Sequence, residues 1–347
     1  MASPLHSPHT GTLYRTTCER TSYSVTAESL QSLASLYKAR QDLNWAHVFL
    51  LPGWLAAWWS HFGEDTQIHL LAIREDEVVI GIAPLRLVEG HALFLGDTDV
   101  CDYLDFIIQP GKEGVFFEVL FQHLRARGME DLQLESLRPD STVMQSFDGT
   151  CNIPGMSISC QIDDMSLPLD LPSAWEEYLD SLGPKQCREV RRKLRRIEEA
   201  GRLDYHVAAD PDDLPQTLDL FLDLHRRSRP DKAAFMTPKM ASFFRTLMWN
   251  MSEAGLVRFG LLNLNGVTVA AVIYFDYGDT TYLYNSGYDP GYSALSVGLV
   301  SKILCIRESI LSGKKVFDFL KGDEVYKYRL GAKEIPIYGC HIDLKGM

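Results

Sequence analysis

Basic residues are the scarcer charge in this 347-residue chain: 34 Lys and Arg stand against 46 Asp and Glu, a formal net charge of −12. That excess argues against indiscriminate binding to polyanions, DNA among them. Cysteine is sparse and unpatterned. Seven residues, an odd count without a C-x-x-C pair, match neither a zinc site nor a disulfide framework, and a reducing cytoplasm is the simplest reading. No stretch reaches the ~18 uninterrupted apolar residues of a membrane span. The N-terminus, Met1 to His9, lacks the basic and apolar regions of a signal peptide. The expectation is a soluble, cytoplasmic protein without a transmembrane segment. Missing too are G-x-S-x-G, H-E-x-x-H, G-x-x-x-x-G-K-[ST] and G-x-G-x-x-G. Hydrolase, metalloprotease, P-loop and Rossmann chemistries therefore lack their mechanical parts, and no metal site is expected.

What is present is apolar material for more than one core. The chain is 46% hydrophobic, and its length points to two domains of about 150 to 180 residues each. Residues 1–25, rich in Ser, Thr, Pro and His, read as a flexible tail, and 28–40 as an amphipathic helix. The aromatic run Trp54-Leu55-Ala56-Ala57-Trp58-Trp59 reads as a short helix packed into a core. Ile68–Ile73 and Val78–Leu85 read as a hairpin across Arg74-Glu75-Asp76-Glu77. A shift of 189 residues lays the same pattern over Val257–Leu262 and Val267–Ala271 without a gap. Each copy then continues with an apolar strand (Leu104–Ile108; Tyr282–Tyr284) and a helix (near 112–127; near 296–311). The fold class is thus mixed α/β, two copies of one unit with mixed sheets flanked by helices. The boundaries are a first domain over 26–165 and a second over 166–347, with 138–172 as the connection.

Ser173-Ala174-Trp175-Glu176 has the form of a capping box, opening a helix that ends at Leu182-Gly183-Pro184. A second helix follows over 185–200, with Cys187, Val190, Leu194 and Ile197 as its apolar stripe and cations on the other faces. From Lys185 to Arg202 there are eight basic and three acidic residues, +5 locally against −17 for the rest of the chain. Either its arginines pair with carboxylates as a solvated face, or Arg191, Arg192 and their neighbours bind a polyanion.

Several short motifs carry a resemblance. Trp175-Glu176-Glu177-Tyr178-Leu179, Arg191-Arg192-Lys193-Leu194, Leu224-His225, Asn285-Ser286-Gly287-Tyr288-Asp289-Pro290, Ser296-Val297-Gly298 and Phe317-Asp318-Phe319-Leu320-Lys321-Gly322-Asp323 with Tyr326-Lys327 stand in order. Upstream lie Trp58-Trp59, Gly81-Ile82-Ala83-Pro84-Leu85 and Asp102-Tyr103-Leu104-Asp105-Phe106. From about 45 to 335 the chain resembles the CelD-like (BioF2-like) acetyltransferases of the GNAT superfamily. The resemblance implies tandem GNAT-like domains, as in the FemABX aminoacyltransferases, with the working site in the second domain or the cleft between them. It also implies acyl-CoA as a co-substrate, with no permanently bound cofactor. The acceptor would be an amine of a sugar, lipid or small metabolite, in polysaccharide or envelope-lipid synthesis. Two alternatives stay open: an aminoacyl-tRNA donor contacted by the basic helix, and a non-catalytic module that binds a polysaccharide-synthesis or membrane-associated partner through that helix. Peripheral membrane contact is compatible with the leading reading.

The pyrophosphate loop typical of GNAT proteins is absent, and Ser296-Val297-Gly298-Leu299 stands at the expected helix start. Unpaired amides there suit a diphosphate, with Lys302 one turn further in; the alternative is an ordinary capped helix. Acyl transfer also needs a base and stabilisation of an oxyanion. His225 is a candidate base by its pKa near neutrality, or else a structural helix residue. Asp102 is a candidate for taking a proton from the acceptor, with Tyr103 and Asp105 as acceptor contacts, or else these carboxylates end a strand. The resemblance puts Lys327 near the reacting ester, with Tyr326 and Tyr288 beside the substrate; otherwise Lys327 pairs with Glu324.

Overall fold

The computed structural model of the protein describes residues 12–14, 22–39, 42–147 and 157–345. Most of the tail expected for 1–25, with Cys18, lies outside the described residues, as does Cys151. Tyr23–Ala27 is not a tail: it is a strand paired antiparallel with Gln67–Glu75.

The chain divides into two compact units, one of residues 1–163 with 336–347, the other of 164–335. In the first, strands run in the order Tyr23–Ala27, Gln67–Glu75, Val78–Val88, His91–Phe94, Asp131–Leu137 and Ile335–Asp343. Only the pair His91–Phe94 with Asp131–Leu137 is parallel. Val78–Val88 is buried over seven consecutive residues because helices Pro52–Phe62 and Glu113–Ala126 supply apolar side chains to the same core; Trp54, Trp58, Phe116 and Phe117 are almost fully buried. The expected second domain ran to residue 347, but the last strand pairs with Asp131–Leu137 in the first unit. There Cys340 is disulfide-bonded to Cys160. This corrects the reading of unpaired thiols. The partners are 180 residues apart, so strand placement rather than sequence spacing brings them together.

In the second unit the order is Leu203–Ala208, Val257–Leu264, Val267–Tyr277, Thr280–Tyr288 and Val316–Lys321. The end of Ser157–Asp170 pairs antiparallel with Val316–Lys321, so the 138–172 connection contains a strand as well as loops. Helix Val297–Leu311 packs on this sheet through Val300, Ile303, Leu304 and Ile306. Helix Trp175–Ser181 is capped by Ala174 without a side-chain bond, whereas Ser173 donates to Glu177, so the expected capping box does not form. The basic helix spans Pro184–Glu199 with proline in its first turn, and Val190 and Ile197 are its buried residues.

The repeat extends to the backbone. Both hairpins carry a register shift at matching places, Ile73/Arg74 and Leu262/Asn263, and both turn through a left-handed residue, Asp76 (φ 51°) and Asn265 (φ 53°). The last strand of each copy also holds a left-handed residue, Ser136 (φ 60°) and Leu320 (φ 63°), now 184 residues apart. The copies therefore align without a gap through the hairpin and lose five residues before the final strand. The first copy's strand before its helix is shorter than expected, since only Ile107–Ile108 pairs.

Gly287 explains part of the Asn285–Pro290 motif. A Cβ there would lie 2.4 Å from the backbone nitrogen of His225 and 2.6 Å from the carbonyl carbon of Leu224. The helix Leu214–Ser228 thus rests directly on the strand, with backbone against backbone. Gly287→Ala must push that helix away and is expected to cost about 3 kcal/mol, measured as a fall in the denaturant midpoint.

Candidate functional site

Strands Thr280–Tyr288 and Val316–Lys321 pair for three residues only, Thr280–Tyr282 with Val316–Asp318. Beyond them the second strand turns away. The Asp318 carboxylate accepts the Leu320 N–H at 2.8 Å, which holds Leu320 in its left-handed conformation. The chain then turns through Gly322 (φ 103°) into the short helix Val325–Arg329. On the other side, Thr280–Tyr288 leads through a 3-10 turn to Ser296 (φ 57°), the N-cap of helix Val297–Leu311.

A cavity of about 220 Å³ lies between these ends, lined by Tyr288, Ser293, Ser296, Val297, Gly298, Leu299, Lys302 and Tyr326. All five residues expected to hold the donor, and both tyrosines expected beside the substrate, are brought together here. Gly298 is required by the close approach of Tyr288, whose ring would stand 2.8 Å from a Cβ. Among the described residues, no hydrogen bond engages the amides of Val297 and Gly298. Lys193 of the basic helix donates to the Ser296 hydroxyl at 2.9 Å.

Lys302 is buried, donates to the Gly298 carbonyl at 2.9 Å, and stands 5.0 Å from the Tyr326 ring centroid. Burial, reinforced by the nearby Lys232 ammonium, pushes its pKa down to about 7. Burial raises the Tyr326 phenol, which stays protonated at neutral pH. Lys232 itself went unnoticed in the sequence because Asp231-Lys232-Ala233-Ala234 shows no pattern. Its amine donates to the Ser286 carbonyl, and burial lowers its pKa to about 8.

Lys327 is occupied differently from what the resemblance implied. Its ammonium donates to the carbonyls of Leu320 (3.2 Å), Lys321 (2.6 Å) and Gly322 (3.0 Å) and pairs with Glu324 at 2.8 Å. All its protons are engaged, so it braces the turn that presents Tyr326 and has none left for an oxyanion. His225 is 1% exposed and its ring packs by Phe221 and Phe235. Burial, then the Lys232 charge, pushes its pKa down to about 4, and it does not line the cavity. A neutral packing residue replaces the expected base.

Asp102, Tyr103 and Asp105 belong to the first unit and lie before its strand rather than on it. Tyr103 is buried against His47 and Phe49. Asp105 is buried and accepts from the amides of Phe106 and Thr142 at 2.8 Å and from the Thr142 hydroxyl, which anchors the helix Thr142–Ser146. Neither side chain is available to an acceptor. Arg191 and Arg192 are exposed and pair with Glu176 and Glu189, both at 2.8 Å. Among the described residues there is no group of three His, Cys, Asp or Glu suited to a metal ion, and no helix is long and apolar enough to cross a membrane.

Lys327→Met strands three buried carbonyls and Glu324. It is expected to lower unfolding free energy by about 3 kcal/mol, read from denaturant curves. For His225, the folded pKa of about 4 lies below the ordinary 6.5, so the unfolded chain takes up the proton first. Its contribution is complete above pH 6.5 and is lost as pH falls towards about 4. His225→Gln should therefore show a smaller loss of thermal midpoint over that window than the parent chain.

Residues 184–328 match the acetyltransferase (GNAT) domain family. No curated protein sequence matches the chain significantly. Among solved structures, FemX is similar at 12% identity over 91% of this chain and 96% of its own, with a TM-score of 0.61. A conserved protein of unknown function from Bacteroides thetaiotaomicron is similar at 12% identity over 92% and 99%, TM-score 0.56. The C-terminal domain of a putative lysylphosphatidylglycerol synthetase from Agrobacterium fabrum is similar at 10% identity over 80% and 83%, TM-score 0.51. The protein is thus a member of the FemABX/GNAT-like family, with FemX's fold over its length and a GNAT-type acyltransferase domain at residues 184–328.

Proposed function

We propose that the protein is an acyl-CoA-dependent N-acyltransferase acting on the amine of a sugar, lipid or small metabolite. The observation that carries this reading is the 220 Å³ cavity, in which one helix start offers free amides and the walls offer one amine and one phenol of suitable protonation. The donor's diphosphate is received by the amides of Val297 and Gly298 at the positive end of helix Val297–Leu311. The acceptor nitrogen attacks the thioester carbonyl; a C–N bond forms and the C–S bond breaks. Lys302, neutral above about pH 7, takes the proton from the acceptor nitrogen, and the Tyr326 phenol protonates the departing thiolate. Lys327 positions Tyr326 through the turn it braces.

A second reading, transfer from an aminoacyl-tRNA, is favoured by the exposed arginines of the basic helix beside Ser296. A thermal-shift comparison separates the two. CoA at 100 times its dissociation constant stabilises the fold by about 2.7 kcal/mol; stabilisation by aminoacyl-tRNA and not by CoA overturns the first reading. With an acyl-CoA donor and an amine acceptor, kcat/KM should rise with pH through about 7. Lys302→Met should remove that limb and lower the rate about 100-fold; an unchanged profile removes Lys302 from the mechanism.

A further inference from the structure

The basic helix Pro184–Glu199 covers a second cavity, of about 370 Å³, which the acyl-transfer reading does not use. Its rim carries four cations: Lys185, Arg192 and Lys193 from the helix and Arg329 from the end of Val325–Arg329. One carboxylate, Glu189, stands among them and is taken up by Arg192. Among the described residues, Lys185 and Arg329 have no ion pair, so the rim keeps a net positive charge. The floor is of the opposite character: Val190, Leu299, Ile303 and Leu330 present aliphatic carbon. Leu299 is shared with the 220 Å³ cavity, so the two spaces adjoin.

A cationic rim over an aliphatic floor selects a ligand with both a phosphate and a hydrocarbon part. An inorganic ion leaves the floor bare, and a nucleic-acid backbone has nothing apolar to place on it. The surroundings extend the same pattern outward. Arg191 and Arg195 stand in solvent on the helix, and Val325 and Tyr328, on the short helix that ends in Arg329, are 60% and 36% exposed. Cations beside exposed apolar side chains are the composition of a surface that lies on an anionic bilayer.

We propose that this pocket binds the headgroup phosphate and the first acyl carbons of an anionic phospholipid, and that the basic helix and Val325 rest on the lipid surface. Held there, the protein presents the mouth of the 220 Å³ cavity within reach of lipid-borne groups. Binding is scored without turnover, so it is judged separately from the acyl-transfer reading.

The test is co-sedimentation of the full chain with vesicles of phosphatidylcholine alone, or of phosphatidylcholine and phosphatidylglycerol in equal parts. Binding to the second and not the first, weakening as salt rises, is expected. Lys185→Glu with Arg329→Glu should weaken it about tenfold or more, whereas Arg245→Glu, on a different helix, should leave it unchanged. Circular-dichroism melts confirm that each variant is folded. In solution, short-chain phosphatidylglycerol should bind more tightly than glycerol phosphate; equal binding overturns the role of the apolar floor. Equal sedimentation with both vesicles, or undiminished binding by the double variant, overturns the proposal. So does a protein that ignores vesicles and binds transfer RNA through Lys185 and Arg329.

Discussion

Three rungs of parallel hydrogen bonding, and no more, join Thr280–Tyr282 to Val316–Asp318. Everything distinctive in the second unit follows from where that pairing stops. Had the strands continued side by side, their backbone groups would have satisfied one another and closed the sheet. Because they part, Asp318 must take over the amide of Leu320, Lys327 must take over three carbonyls, and a helix must begin at Val297 with its first amides facing open space. The cavity is the volume left by the missing rungs, and its polar lining consists of groups that the sheet no longer pairs.

Filling that gap brings three lysines, Lys232, Lys302 and Lys327, into mutual influence with a single carboxylate, Glu324. The distribution is uneven in a useful way. Glu324 goes to Lys327, whose charge is further spread over main-chain oxygens, so that lysine is a fixed cation. Lys302 has one carbonyl, an aromatic face and a repelling neighbour, so it loses its proton near neutrality. Two amines close in sequence thus acquire opposite uses, and what separates them is the count of oxygens around each.

The hairpin repeat was readable because it rests on local signals: alternation, length, and a turn that needs a left-handed residue, met by Asp76 and by Asn265. The helix start at 296–302 was readable for the same reason, since Ser, Gly and Lys at that spacing have meaning within one turn. Errors arose where a residue's role is set by distant chain. His225 had the right chemistry, but Gly287 lets its helix settle on the strand and burial removes its proton. Asp105 was read as a strand residue facing a pocket, and Thr142, 37 residues on, claims both its oxygens. The pairing of Lys327 with Glu324 was visible as an i, i+3 spacing, but the three carbonyls that fix its role come from a turn whose path depends on Asp318. The disulfide lay beyond any spacing rule, because Cys160 and Cys340 meet only once the chain's last strand is in place.

That last strand has a consequence for how the molecule is made. Ile335–Asp343 pairs with Asp131–Leu137 and completes the sheet of the unit that leaves the ribosome first. The earlier unit therefore waits, its Asp131–Leu137 edge open, while some 170 residues of the later one are synthesised and fold. Order of synthesis and order of completion are reversed, and the final residues of the chain act as the closing stitch of its first half.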